Sequence, residues 1–182
     1  MHGFSLGYED ESGISAKPVV RRTWAIRGIT PTIMSSGSWK SLTMAGLLLF
    51  TPRGNRPKVC FRLQPGAMDK HDFIDFLQDI KKGLRGKKLL LIWDGLPAHR
   101  AKTVTDYIQL QRSWLRVERY PAYAPELSPV ELLWSSMKTR DLAHVPPKGL
   151  AHLKRLVRRS FRRIKADPVL LKGCLRKAGV LI

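Results

Sequence analysis

The chain has 182 residues, 43% of them hydrophobic, enough for one domain with a core and too many for wholesale disorder. Lys and Arg number 33 against 14 Asp and Glu, a formal charge of +19 that predicts a polyanionic partner, nucleic acid above all. No apolar run has the length of a membrane span, "MHGFSLGYED" is not a secretory leader, and Cys60 and Cys174 fit neither a metal spacing nor a disulfide framework.

Residues 4–10 alternate, with Phe4, Leu6, Tyr8 and Asp10 on one parity, and predict a strand with one buried face. After a turn, "RRTWAI" reads as a short second strand with Trp24 in the core. "SLTMAGLLLF" at 41–50 reads as a central strand and "KVCFRL" at 58–63 as the next. From Asp69 the period changes to that of a helix carrying Phe73, Phe76, Leu77, Ile80 and Leu84. "LLLIW" at 89–93 is a strand buried on both faces. A helix over 100–112 follows, with Val104, Tyr107 and Ile108 inward, and "WLRVERY" is a further strand. "PAYAPELSP" is a rigid proline-rich loop in which Tyr120 and Tyr123 either stack on bases or stiffen the turn. A helix from Pro129 to about Arg140 places Trp134 and Met137 in the core.

The last segment is the most basic, with 12 basic and two acidic residues between Arg140 and Ile182. Leu150, Leu153, Leu156, Val157, Phe161 and Ile164 form one stripe of a helix whose other face carries Lys154, Arg155, Arg158, Arg159, Arg162 and Arg163. That face either lies against DNA phosphates or is a solvated charged surface. Strands, then alternating helices and strands, then helices suggest an α/β domain with crossover connections.

Three acidic residues need a reason to be where they are. Asp94 follows "LLLIW" directly, at the carboxyl end of a strand, where open α/β sheets bind ligands; the alternative is a local turn with Gly95. Asp10 ends the first strand and shares parity with its apolar face, but its neighbours Glu9 and Glu11 leave the choice among three acids open. Glu131 stands at N3 of a helix with Ser128 at the N-cap and Pro129 at N1, so it either closes a capping box or offers an ionised carboxylate at a helix N-terminus. Together they suit a site for Mg²⁺, which takes hard oxygen ligands. Two such ions about 4 Å apart activate the attacking oxygen and stabilise the leaving oxygen in phosphoryl transfer.

"YEDESG", "RRTWAIRG", "WDGLPAHR" and "YAPELSPVELLWSSMK", in this order over residues 5–145, resemble the DDE catalytic domain of mariner-like insertion-sequence transposases. The resemblance implies a ribonuclease H-like mixed sheet flanked by helices over 1–145, with 146–182 as a basic helical extension packed on it. It implies Asp10, Asp94 and Glu131 as catalytic metal ligands for two Mg²⁺ ions, with Mn²⁺ as a substitute. Glu11 and His99 become neighbours of that site, His99 positioning water or a phosphate, or else capping its own turn. The family often has Asn after the second aspartate, where this chain has Gly95.

The implied activity is metal-dependent DNA cleavage and strand transfer in cut-and-paste transposition, into TA dinucleotides, by a homodimer at the nucleoid in the cytoplasm. A non-catalytic DNA-binding remnant is the competing reading. The family's helix-turn-helix region is not in this sequence, so the expectation is a separately encoded helix-turn-helix protein or a decayed element. Candidate DNA contacts are Arg21, Arg22, Arg100, Lys102, Lys138, Arg155, Arg158, Arg159, Arg162 and Arg163, with solvated charges the alternative at each.

Overall fold

A computed structural model describes residues 3–35, 40–51, 57–121 and 127–180. Five strands and the helices between and after them form a mixed sheet covered on both faces. The strands are β1 (Phe4–Ser15), β2 (Ser41–Phe50), β3 (Lys58–Pro65), β4 (Lys88–Trp93) and β5 (Leu115–Arg119), in the order β3-β2-β1-β4-β5. β1, β2 and β3 pair antiparallel, while β4 runs parallel to β1 and β5 parallel to β4. This is the ribonuclease H-like arrangement that the motifs imply.

α1 (Lys70–Leu84) carries the chain from β3 to β4, and α2 (Lys102–Leu110) from β4 to β5. α1 starts where Asp69 and Asp72 form a reciprocal capping box, Asp69 accepting from the amides of His71 and Asp72. Its apolar stripe packs with Leu47, Leu89, Leu91 and Trp93 into one core layer. α2 is shorter than the 100–112 expected, because residues 97–100 form a turn first.

The opposite face is covered by α3 (Pro129–Ser136), α4 (Leu150–Lys165) and α5 (Pro168–Lys177). After Ser136 the helix continues as a π-helical segment, Met137–Asp141. Leu153, Val157, Phe161 and Ile164 of α4 are buried in the same core as Met44, Leu48 and Trp134, at roughly 1.5–3 kcal/mol per side chain. Phe161 stacks on Phe61 of β3 at 3.6 Å between ring centroids. Asp141, at the end of the π-helical segment, receives the Arg163 guanidinium at 2.8 Å and the Ser160 hydroxyl, locking α4 onto the segment that follows α3.

The second strand expected at "RRTWAI" does not form. β1 is paired on both edges, by β2 and β4, and among the described residues the only strand pairing of the 17–35 segment is an isolated bridge from Val19 to Ala143. Trp24 is therefore fully exposed rather than in the core, and Val20, Ile26, Ile29 and Met34 are exposed with it. Tyr123 and most of the proline-rich loop lie outside the described residues.

Candidate active site

Strand register brings the two aspartates together. In the parallel β1–β4 pair Tyr8 stands beside Ile92, so two residues further along each chain Asp10 and Asp94 are level. β4 stops at Trp93 while β1 continues against β2, which leaves Asp94 free of the ladder beside Asp10. Asp10, Glu11 and Asp94 each offer a carboxylate oxygen, and these lie within 4.8 Å of one another.

The pleat separates the three consecutive acids of β1. Asp10 shares its face with Leu6 and Tyr8, which pack towards α3–α5. Its Oδ2 accepts a 2.9 Å hydrogen bond from the indole N–H of Trp134 on α3. Burial, and then the nearby Glu131 carboxylate, raise the Asp10 carboxyl from 3.8 to about 7 against the opposing effect of the Trp134 bond. Glu131 thus acts electrostatically on Asp10 from the first turn of α3, one turn ahead of Trp134. Ser128 occupies the N-cap without a side-chain capping bond, so the capping-box alternative for Glu131 is not formed.

Gly46 makes this approach of α3 possible. It pairs with Asp10 across β1–β2, and a Cβ there would stand 2.6 and 2.8 Å from the Trp134 ring and 3.4 Å from Val130.

Glu9 and Glu11 point to the other face, where they meet His99. Glu9 is 1% exposed and neither of its oxygens has a hydrogen-bond partner. Burial, reinforced by Glu11, raises its carboxyl well above the usual range. His99 is fully buried, stacked on Trp93 at 4.1 Å and edge-on to Phe73 at 4.4 Å. Its Nδ1 is 2.8 Å from Asp94 Oδ1, and its Nε2 is 3.1 Å from Glu11 Oε1 and 3.9 Å from Glu9 Oε2. Burial alone would depress the imidazole, but the bonds to Asp94 and Glu11 overcome it and carry the group to about 10.

The turn reading of Asp94 holds, and it leaves the carboxylate at the end of β4. Burial opposes its charge, yet His99 and the Leu96 amide, 3.0 Å from Oδ1, keep the carboxyl below its ordinary value. It therefore builds the local turn and presents an ionised carboxylate beside Asp10. Above Gly95, where the family often has Asn, lies the guanidinium of Arg100: a Cβ on Gly95 would be 2.5 Å from it.

The remaining cations divide by environment. Arg21, Arg22 and Arg100 are exposed, and Lys102 is exposed with an ion pair to Asp106. Arg155, Arg158, Arg159 and Arg162 form an exposed row on α4 at helical spacing. Lys138 is half-buried and donates to the Ser12 hydroxyl at 2.7 Å. Arg163 departs from the phosphate-contact expectation, because Asp141 and Ser136 engage its guanidinium inside the fold. Sequence reading missed the burial of Glu9 and the Trp134–Asp10 bond. Parity carried a signal for the first, since Glu9 alternates with the small buried residues Ser5 and Gly7.

Residues 5–154 match the family described as "DDE superfamily endonuclease". This chain belongs to that family. It is 27% identical over 131 residues to the "Insertion element IS630 uncharacterized 39 kDa protein" of Shigella sonnei, a match over 71% of this chain and 36% of that protein. The fold superposes on a Mos1 mariner paired end complex with Mn at a TM-score of 0.63, with 18% identity over 96% of this chain and 55% of that one. The Mos1 catalytic domain gives a TM-score of 0.57 with 16% identity, over 96% of this chain and 82% of the other. The chain thus spans about a third of the length of the IS630 relative and about half that of the mariner transposase. No helix among the described residues is long and apolar enough to cross a membrane.

Proposed function

We propose that this DDE-family chain is the catalytic part of a transposase, cutting DNA strands and joining the freed end to target DNA. The observation that carries this reading is the convergence of Asp10, Glu11 and Asp94 within 4.8 Å, with Glu131 acting on Asp10 from α3. Carboxylate oxygens are the donors Mg²⁺ and Mn²⁺ prefer, and burial with the nearby Glu131 carboxylate raises Asp10 to about 7, a strain that a bound cation would relieve.

Asp10, Asp94 and Glu131 would hold the ions, Asp10 from β1, Asp94 from the end of β4 and Glu131 from the first turn of α3. Bound there, divalent cations would make a water or a 3′-hydroxyl nucleophilic and stabilise the departing oxygen. The protein's own part is to fix the carboxylates: Trp134 orients Asp10, the Leu96 amide and His99 orient Asp94, and the first turn of α3 carries Glu131.

Duplex DNA is the substrate, held by phosphate contacts along the α4 arginine row and at Arg21, Arg22, Arg100 and Lys102. The mariner structures are paired-end and strand-transfer complexes, which supports the same substrate and an assembly of two copies here. The exposed apolar segment around Trp24 also suits burial against a second copy. Recognition of the element ends by a helix-turn-helix region, and insertion at TA, complete the proposal. Supercoiled plasmid incubated with Mn²⁺ tests it: the parent chain nicks or linearises the plasmid and Asp94→Asn does not. Binding without cleavage by both, with no strand transfer from a pre-exposed 3′-hydroxyl, would favour a DNA-binding remnant.

A further inference from the structure

Within that reading of the site, His99 stands where neither solvent nor substrate reaches it, yet it touches two of the clustered carboxylates. Its ring is held on one side by the Trp93 indole, parallel to within 3°, and edge-on by Phe73. Trp93 is itself 1% exposed. A ring so confined has little freedom to rotate, so its two nitrogens are aimed by packing rather than by their partners. One is aimed at Asp94 and the other at Glu11, both beyond Tyr8–Ile92, the last pair of the β1–β4 ladder.

The bonding of Asp94 is one-sided. The Leu96 amide donates to Oδ1, and His99 Nδ1 lies 2.8 Å from the same oxygen and 3.2 Å from the Asp94 carbonyl oxygen, while neither group reaches Oδ2. From these contacts we infer that His99 is a positioning residue that clamps Asp94 Oδ1 to Glu11, fixing the carboxylate so that Oδ2 is the oxygen presented to a cation. The clamp needs both ring N–H groups, one for each carboxylate. Histidines that hold a ligand from outside the coordination sphere typically account for about 10–100-fold in metal affinity.

The test is Mn²⁺ affinity, read by electron paramagnetic resonance of free Mn²⁺, for the parent, Asp94→Asn, His99→Gln and His99→Gly. His99→Gln, which cannot span both carboxylates, is expected to weaken Mn²⁺ about 10–100-fold while duplex DNA affinity and far-ultraviolet circular dichroism stay at parent values. Imidazole added to His99→Gly fills the slot between Trp93 and Phe73 and restores Mn²⁺ affinity. 1-Methylimidazole fills the same slot with one N–H too few and does not, and Asp94→Asn responds to neither. A merely packing role would be rescued equally by both compounds, which overturns the inference. Unchanged Mn²⁺ affinity in His99→Gln overturns it too and leaves the metal site standing. A parent chain that binds no Mn²⁺ removes both the clamp's purpose and the proposed function.

Discussion

Gly46→Ala is the smallest change that should disturb the site from a distance. The added methyl would sit 2.6 Å from Trp134 Cη2 and 2.8 Å from Cζ2, where ordinary carbon contacts begin near 3.5 Å. Something must move by about 1 Å. Trp134 cannot yield cheaply, being 1% exposed and set edge-on against Phe161 at 5.7 Å. Overpacking of this kind costs about 1–3 kcal/mol. The same shift stretches the 2.9 Å Trp134–Asp10 bond past hydrogen-bonding range and removes a donor that favours ionised Asp10. Mn²⁺ affinity should therefore fall together with stability. Urea denaturation reads the first effect, and a cycle with Trp134→Phe locates it: Phe lacks the outer indole ring, so the two changes should couple by at least about 0.5 kcal/mol. A Gly46→Ala chain within about 0.5 kcal/mol of the parent, additive with Trp134→Phe, would refute the close-approach argument.

Four further outcomes can be measured. In EDTA, stability should fall as pH rises from 3.8 to about 7, because folded Asp10 holds its proton more tightly than the unfolded chain does, and Asp10→Asn should flatten that segment of a thermal-melting profile. His99 also has a raised value, so its contribution is complete below pH 6.5 and is lost as pH climbs to about 10; His99→Gln should remove this second decline. Arg163→Ala should cost about 1.5–3 kcal/mol in urea denaturation by leaving the half-buried Asp141 without its charged partner. Arg158→Ala should leave stability within about 0.5 kcal/mol but lower the salt slope of duplex binding by about 0.9, and an unchanged slope would take that residue out of the DNA surface.

Much of the sheet was legible because its strands have a simple reason to be strands. "SLTMAGLLLF" is apolar on both faces because helices cover both, "LLLIW" buries Leu89, Leu91 and Trp93 under α1 while Leu90 and Ile92 stay half-buried, and α1 announces itself through its 3.6-residue period. "RRTWAI" misled because β-propensity says nothing of whether an edge is free to pair, and both edges of β1 are taken. Parity placed Asp10 on the face that meets α3, but could not reveal that Glu9 and Glu11 converge on His99 from beyond position 94. That convergence depends on the β1–β4 register, a long-range property absent from any local pattern. Arg163 looked like its neighbours on α4; only the position of Asp141, brought round by the π-helical segment, makes it a structural ion pair. Gly46 read as an ordinary strand residue, and its role appears only when Trp134 is seated against it.

The central claim is that Asp10, Asp94 and Glu131, from three distant parts of the chain, hold the same metal. Fe²⁺ with ascorbate generates hydroxyl radicals where the ion is bound, and the resulting backbone breaks can be mapped by mass spectrometry. The account predicts breaks beside all three residues in one sample, suppressed by excess Mg²⁺ and lost together in Asp94→Asn. Breaks beside only one of them, or a pattern indifferent to Asp94→Asn, would contradict it.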